Sequence, residues 1–259
     1  MVQAKKEGDG DAKDVVERLF ARAFGEEALR DASPMGMKRM DVNTCPEAYG
    51  PAAKEEVAAP VEGDEAMAKL VRPLLAKTQL ETRELQLAYD ADTHGWNANA
   101  FHQCVDGRGP AVVVAKTSHG TVCGGYNPKG WIGLGDNRAS RAAFLFRIEQ
   151  EDNGRTSWEK LQKVGGDALA VCDQSDCGPV FGADALVIKL REPTEKEAKC
   201  RLGAYYEKCA DGSRNLFANE EKARGGGGKA ELVSLHVLVA EGKGEEWELD
   251  GIVWKTKLE

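Results

Sequence analysis

The chain has 259 residues, of which 35 are Lys or Arg and 43 are Asp or Glu, so its formal net charge is −8. Hydrophobic residues make up 42% of the sequence, which is too large a share for a wholly disordered chain. The acidic balance argues against nucleic acid as a partner, because binding to phosphates needs a basic face. The 29 glycines show no collagen repeat, so they favour tight turns and β structure.

The first 78 residues differ from the rest, since all five tryptophans lie beyond them. Apolar residues recur at helical spacing within 12–30 and predict a helix there. A proline-containing linker follows, and a second helix is expected over 64–76. We therefore divide the chain into an N-terminal arm, 1–78, with one or two helices and a linker, and a folded domain, 79–259.

The cysteines and the amino terminus predict a cytoplasmic protein. The seven cysteines are odd in number, and a chain of this length does not need disulfides, so we expect reduced thiols. The amino-terminal residues lack the apolar core of a signal peptide. No stretch approaches the roughly 18 apolar residues of a membrane helix, so no membrane insertion is expected.

Beyond residue 79, short β-like runs alternate with glycine-containing turns. Residues 111–116 predict a buried strand, and 121–126 predict its return after a turn, which makes a hairpin. Apolar residues within 97–104 predict a helix. Further strands are expected at 143–149, 168–172, 185–189, 231–239 and 252–256. This pattern indicates a sandwich-like mixed domain.

One motif begins like a calcium loop. Asp90, Asp92 and Gly95 occupy its first, third and sixth positions, but Phe101 stands where the loop needs a bidentate carboxylate. We therefore interpret this segment as the capped N-terminal turn of a helix.

Other chemical motifs are incomplete. Four residues separate Cys172 from Cys177 and eight separate Cys200 from Cys209, which is at or beyond the usual spacing of structural zinc ligands. The glycine run at 225–228 lacks the hydroxyl residue of a phosphate loop. None of the four histidines lies in a nucleophile motif. We predict no catalytic residue, no cofactor and no metal site.

The strongest signal is an ordered series of motifs. It runs through His94-Gly95-Trp96, Ala100-Phe101-His102, Cys104-Val-Asp106-Gly107-Arg-Gly109-Pro110, Gly124-Gly125-Tyr126 and Trp131, then Ala143-Phe144-Leu145-Phe146, Gly178-Pro179-Val-Phe181-Gly182 and Leu202-Gly203. Over roughly residues 79–256 this series closely resembles TLDc domains, which occur in oxidation-resistance proteins. The resemblance is interrupted at Cys123, where the family usually has Phe, and weakens over 213–250.

The resemblance implies an α+β fold, a two-sheet antiparallel β-sandwich edged by short helices. It also implies that the motif residues define this fold and do not form an active site. Gly124 and Gly125 would permit close strand packing or a bulge, and Phe144 and Phe146 would face one side of a strand with Leu145 on the other. The fold-defining residues are Gly95, Phe101, His102, Cys104, Gly107, Gly109, Pro110, Gly124, Gly125, Tyr126, Trp131, Phe144, Phe146, Gly178, Pro179, Phe181, Gly182 and Gly203.

For function, the resemblance implies a non-enzymatic adaptor that binds protein partners in a large assembly. TLDc domains are associated with oxidative-stress resistance and with the peripheral region of the vacuolar proton ATPase, so the cytosolic face of an organelle is an expected location. One alternative is a structural component of a cytoskeletal or ciliary assembly, docked through residues 1–78. Another is a thiol-based antioxidant enzyme that uses Cys104 or Cys123.

Overall fold

The computed structural model describes residues 56–150, 156–217 and 227–240, together with the backbone of 247–249 and 252–254. All of these residues belong to one compact unit, Cys45–Glu259. The helix expected within 12–30 lies outside the described residues, as does part of the glycine run at 225–228.

The described part of the chain is rich in strands and contains a few short helices. The helices are α1 (Ala66–Val71), α2 (Ala91–His94) and α3 (Ala98–Val105), with 3-10 turns at Arg72–Leu75 and Asp167–Leu169. The strands are β1 (Leu85–Asp90), β2 (Ala111–Thr117), β3 (Val122–Asn127), β4 (Asp136–Arg138), β5 (Phe144–Gln150), β6 (Thr156–Gln162), β7 (Val171–Asp173), β8 (Val180–Phe181), β9 (Leu186–Ile188), β10 (Glu197–Cys200), β11 (Gly228–Ala240), β12 (Trp247–Leu249) and β13 (Ile252–Trp254).

Local sequence patterns account for many of these elements. The predicted hairpin is confirmed, because β2 and β3 pair antiparallel across a turn that ends at Gly120. The capped turn at Asp90 is also confirmed, since its carboxylate accepts hydrogen bonds from the Asp92 amide at 3.0 Å and the Thr93 hydroxyl at 2.7 Å. The helix expected over 64–76 forms as α1, and its continuation from Arg72 is a 3-10 turn because Pro73 has no amide hydrogen for an α-helical bond.

The strands do not form two separate sheets, which corrects the expected two-sheet sandwich. Among the described residues, eleven strands join one sheet in the order β4-β7-β8-β9-β10-β11-β2-β3-β5-β6, with β1 also paired to β11, and β12 and β13 form a separate hairpin. The long strand β11 is the reason for this continuity. Its first residues pair with β10, and its later residues pair with both β1 and β2.

The sheet has a hydrophobic core on each face. It curls around the inner core, and a second core covers its other face. The inner core takes residues from both halves of the sheet, such as Val113 and Leu145 on one side and Leu186 and Ala198 on the other. The second core lies where residues 56–84 pack on β2, β3 and β5. Both faces of β5 are buried as predicted, because Phe144 and Phe146 enter the second core while Leu145 enters the inner one.

A buried ion pair fixes the covering segment, 56–84. The Arg72 guanidinium binds both oxygens of Asp64 at 2.6 Å and donates to the backbone carbonyls of Leu80, Glu81 and Arg83. Both side chains are almost completely buried. Because the five donor hydrogens of arginine are directed at acceptors from three parts of the segment, this pair specifies how the segment folds onto the sheet.

The predicted close packing at the paired glycines is confirmed. A Cβ atom on Gly124 would overlap the backbone carbonyl of Val113 on β2, and one on Gly125 would lie 2.7 Å from the Phe181 ring. A side chain at either position would therefore separate β3 from its neighbours.

Candidate functional site

Four charged side chains meet where helix α3 packs against one end of the sheet. We call His102, Asp106, Arg138 and Asp173 the His102 cluster. His102 is 8% exposed, Arg138 5% and Asp173 0%, while Asp106 is partly exposed. Buried charges are costly unless they are paired, so the contacts within this group decide what it can do.

The local fold of α3 places two members of the cluster next to each other. The Asn97 side chain caps the helix by accepting a hydrogen bond from the Ala100 amide at 2.8 Å. His102 and Asp106 lie one turn apart at the end of this helix, so the His102 Nδ1 is 2.8 Å from an Asp106 carboxylate oxygen. Asp173 and Arg138 come from the paired strands β7 and β4.

Aromatic motif residues form the apolar wall beside the cluster. Phe101 packs edge to face with Trp131 at 5.4 Å between ring centroids, and Trp131 packs in the same way with Phe181 at 6.2 Å. The Trp131 carbonyl also accepts a hydrogen bond from the Gly107 amide at 2.8 Å. These contacts place the three aromatic motif residues in the inner core.

His102 has hydrogen-bond acceptors at both ring nitrogens. Its Nε2 is 3.0 Å from the carbonyl oxygens of Gln174 and Cys177, and its Nδ1 faces Asp106. Burial lowers the pKa of His102, but the hydrogen bond and charge of Asp106 and the two carbonyls outweigh this effect and raise the pKa above its usual value. The doubly protonated ring, which donates from both nitrogens, is the form that this geometry favours.

Asp173 is held by backbone amides and by Arg138. Its two oxygens accept hydrogen bonds from the Ile132 amide at 2.8 Å and the Gly133 amide at 3.1 Å, and Arg138 contacts it at 3.3 Å. Burial raises the pKa of Asp173 above its usual value, although these hydrogen bonds and Arg138 act in the opposite direction. The carboxylate therefore anchors the loop after Trp131 to the sheet.

The cluster also contains donor atoms that suit a metal ion. One ligand atom each from His102, Asp106 and Asp173 lie within 4.8 Å of one another, and a histidine with two carboxylates is a common donor set for divalent cations. However, a cation would have to displace the hydrogen on Nδ1 and approach the Arg138 guanidinium. Because the two carboxylates are already balanced by His102 and Arg138, the arrangement fits an ion-pair cluster better than a metal centre.

The structure brings some motif residues to the cluster and leaves others apart from it. Phe101, His102, Trp131 and Phe181 gather there. Gly124, Gly125, Tyr126, Phe144 and Phe146 lie instead within the sheet. Sequence reasoning missed the charged partners Asp106, Arg138 and Asp173. No local sequence pattern indicates Asp173 or Arg138, because pairing between strands that are distant from His102 in the sequence brings them to it.

The six cysteines within the described residues are free thiols. Cys123 is fully buried, and burial raises its pKa to about 12. Cys104 is partly exposed, and burial raises its pKa as well. A reactive thiol usually has a lowered pKa, because the thiolate is the nucleophile. Neither cysteine proposed for a thiol-based enzyme has that feature.

No helix in the part of the chain that the structure describes is long and apolar enough to span a membrane.

Comparison with known proteins assigns a family. No curated protein matches the chain. The family model of the TLDc domain matches residues 63–218, which is more than half of the sequence and includes the covering segment from residue 63, the His102 cluster and strands β1 to β10. The chain therefore belongs to the TLDc domain family.

Proposed function

We propose that this TLDc domain protein is a non-enzymatic adaptor that binds protein partners in a large assembly. The observation that carries the proposal is the internal pairing of the His102 cluster. Both ring nitrogens of His102 and both oxygens of Asp173 already face partners within the chain. Groups held in this way stabilise a scaffold, whereas general acid–base catalysis needs a group directed at the substrate.

We further propose the peripheral region of the vacuolar proton ATPase as the partner, on the cytosolic face of an organelle, with a role in oxidative-stress resistance. This step rests on membership of the family. Because fold alone does not fix function, the partner needs a direct binding experiment.

The experiment mixes the full chain with the purified peripheral sector of the ATPase and follows complex formation by native mass spectrometry. We expect a complex of defined stoichiometry at micromolar concentration. A mixture in which the two components remain separate would contradict the proposed partner.

Surface variants then locate the contact face. Large apolar side chains are at least two-fifths exposed at six described positions: Val57, Leu87, Leu134, Trp158, Val164 and Val233. Each is replaced by Ser and binding is measured again. We expect one neighbouring subset to weaken the complex at least tenfold, because hot-spot residues cluster at an interface centre. Equal binding by all six variants would place the contact elsewhere.

A cellular assay separates the adaptor from a thiol-based enzyme. Cells that lack the protein are complemented with the wild-type chain or with a Cys104→Ser and Cys123→Ala double variant, and survival in peroxide is measured. The adaptor predicts equal protection by both chains. Loss of protection by a double variant whose circular dichroism matches the wild type would instead support thiol chemistry.

A further inference from the structure

Strand β6 is the last strand of the sheet, and its outer edge is closed only at one end. Among the described strands it pairs with β5 alone. At its end, the Gln162 carbonyl accepts a hydrogen bond from the Glu207 amide at 2.9 Å, and the Gln162 amide donates to the Glu207 carboxylate at 3.0 Å. Lys163 and Tyr206 form an antiparallel bridge beside this contact. The chain therefore already closes this end of the edge by antiparallel pairing.

The edge is open toward the start of β6. Backbone groups of successive strand residues point to opposite sides. Because those of Gln162 point away from β5, those of Trp158 and Thr156 do so as well, and in the part of the chain that the structure describes neither residue has a backbone partner on that side. Lys160 is 4% exposed but Trp158 is 41% exposed, so the edge becomes accessible at Trp158. Unpaired groups on a strand edge can bind another strand.

One face of this open edge is apolar. Trp158 lies opposite Ile148 of β5, which belongs to the second core. Its indole donates to the Leu70 carbonyl of the covering segment at 2.8 Å, which confirms that the ring lies on that face. Val122, the partner of Ile148 on β3, is only partly buried against the same core. An apolar side chain added beside Trp158 would therefore extend this surface.

The opposite face of the edge is acidic. The Arg147 guanidinium lies 2.9 Å from Glu159, 3.2 Å from Glu149 and 3.5 Å from Asp211. Three carboxylates share one guanidinium, so two negative charges have no compensating cation among the described residues. Glu149 and Asp211 are about half exposed. This face should therefore attract a basic side chain.

We propose that the open edge of β6 is a strand-addition site for a protein partner, an inference that rests on the proposed adaptor function and specifies its contact. The occupant is an extended segment in which apolar and basic residues alternate. Running antiparallel to β6, as β6 does to β5, it places one apolar residue opposite Trp158. Its neighbours in sequence then lie on the carboxylate face, because side chains alternate between the two faces. Backbone hydrogen bonds supply affinity and the alternation supplies specificity.

A second copy of this chain does not have the required chemistry. Pairing of β6 with another β6 through Trp158 would bring a second Glu159 to the carboxylate face. Like charges on neighbouring strands are destabilising. The charge pattern therefore favours a different, basic partner.

The test uses a fluorescein-labelled synthetic peptide of alternating valine and lysine, whose binding to the full chain is measured by anisotropy. In the proposed register the valine amides face β6 and the lysine amides face solvent. N-methylation of the valines should therefore weaken binding at least tenfold, because hydrogen bonds to the edge are lost. N-methylation of the lysines should leave binding unchanged. Equal binding of these two peptides, which carry the same charge, would overturn the proposal, as would equal binding of a valine–glutamate peptide.

A pair of variants tests the edge itself. Thr156→Pro removes an outward amide at the first residue of β6, a position that accepts proline. Thr156→Ala keeps the amide and is the matched control. We expect the proline variant, with a circular dichroism spectrum like that of the wild type, to bind the peptide several-fold more weakly than the alanine variant. Equal binding by the two folded variants would contradict the strand-addition site, and the methylated peptides test the wild-type chain independently.

The outcome is separable from that of the ATPase experiment. A chain that binds the ATPase sector but does not distinguish the two methylated peptides would overturn the strand-addition site alone. A chain that distinguishes them but does not bind the sector would support the site and remove the proposed partner. A dimer of the full chain that dissociates in the Thr156→Pro variant would show that a second copy occupies the edge, and would overturn the inference.

Discussion

At the scale of single residues, His102 links protonation to the stability of the domain. Its pKa in the folded protein is raised by Asp106 and two carbonyls. A raised pKa means that the stabilisation is complete below the unfolded value of about 6.5 and is lost as the pH rises through the folded value. The free energy of unfolding should therefore decrease as the pH rises through neutrality, if other groups are held constant.

The variant His102→Gln should remove this dependence. We expect it to cost about 2 kcal/mol at pH 6, because Asp106 and the two carbonyls lose a charged donor, and to cost less at pH 8. Urea unfolding at both values measures the difference. His119→Gln, at an exposed histidine of the β2–β3 turn, is the control. Equal losses at both pH values would show that His102 is not protonated in the folded state.

The buried Lys160 predicts the opposite dependence of stability on pH. Burial gives it a folded pKa of about 8, below its usual 10.5. Between these values the unfolded chain binds more protons than the folded chain, so stability should rise with pH. Replacement by Met should stabilise the protein at pH 7 by about 1–2 kcal/mol, since a buried charge is removed. Urea unfolding of both chains at pH 7 and 9 tests this, and the gain should be smaller at pH 9.

At the scale of secondary-structure elements, the close pairing of β2 and β3 limits which residues they accept. A methyl group on Gly124 would overlap the Val113 carbonyl of the neighbouring strand, which cannot move without breaking the ladder. Gly124→Ala should therefore destabilise the domain by about 2–4 kcal/mol. Gly165→Ala is the control, because its added atom would lie 3.3 Å from the nearest atom. Thermal unfolding compares the two, and similar losses would contradict the close approach.

The covering segment depends on the ion pair between Arg72 and Asp64. Arg72→Met leaves a fully buried carboxylate unpaired, so we expect a loss of about 3–5 kcal/mol. The control is Lys77→Met, which breaks an exposed pair with Glu56 and should cost less than about 1 kcal/mol. Chemical unfolding measures both. An Asp64→Leu and Arg72→Met double variant should recover part of the loss, because no charge is left unpaired.

The elements that the sequence predicts well are those with local signals. The hairpin of β2 and β3 combines an apolar run with a glycine turn, and both are visible within a few residues. Strand β6 was missed because Ser157, Glu159 and Lys160 are polar and leave the segment without an apolar run or a regular alternation. The division into two sheets was wrong because β11 changes partners along its length, and strand partners are set by contacts distant in the sequence.

At the scale of the whole molecule, residues 56–84 form one layer of the folded unit. They cover the face of the sheet that carries Phe144, Phe146 and Lys160, and Trp158 fastens them by donating to the Leu70 carbonyl at 2.8 Å. This layer explains why β2, β3 and β5 are buried on both faces although no second sheet packs on them. The same packing gives Lys160 its apolar environment.

Two deletions test this arrangement. A chain that lacks residues 1–55 retains the ion pair of Asp64 and Arg72 and the second core, and we expect its unfolding transition to remain cooperative. A chain that lacks residues 1–78 loses α1, Asp64 and Arg72 and exposes the apolar face of β2, β3 and β5, so we expect aggregation or a loss of at least 5 kcal/mol. Calorimetry and size-exclusion chromatography distinguish the two. Equal stability would mean that the covering segment contributes nothing to the domain. If the chain without 1–55 is stable, its binding to the ATPase sector is measured next. Binding would place the partner contact on the domain, and loss of binding would show that the contact needs residues 1–55.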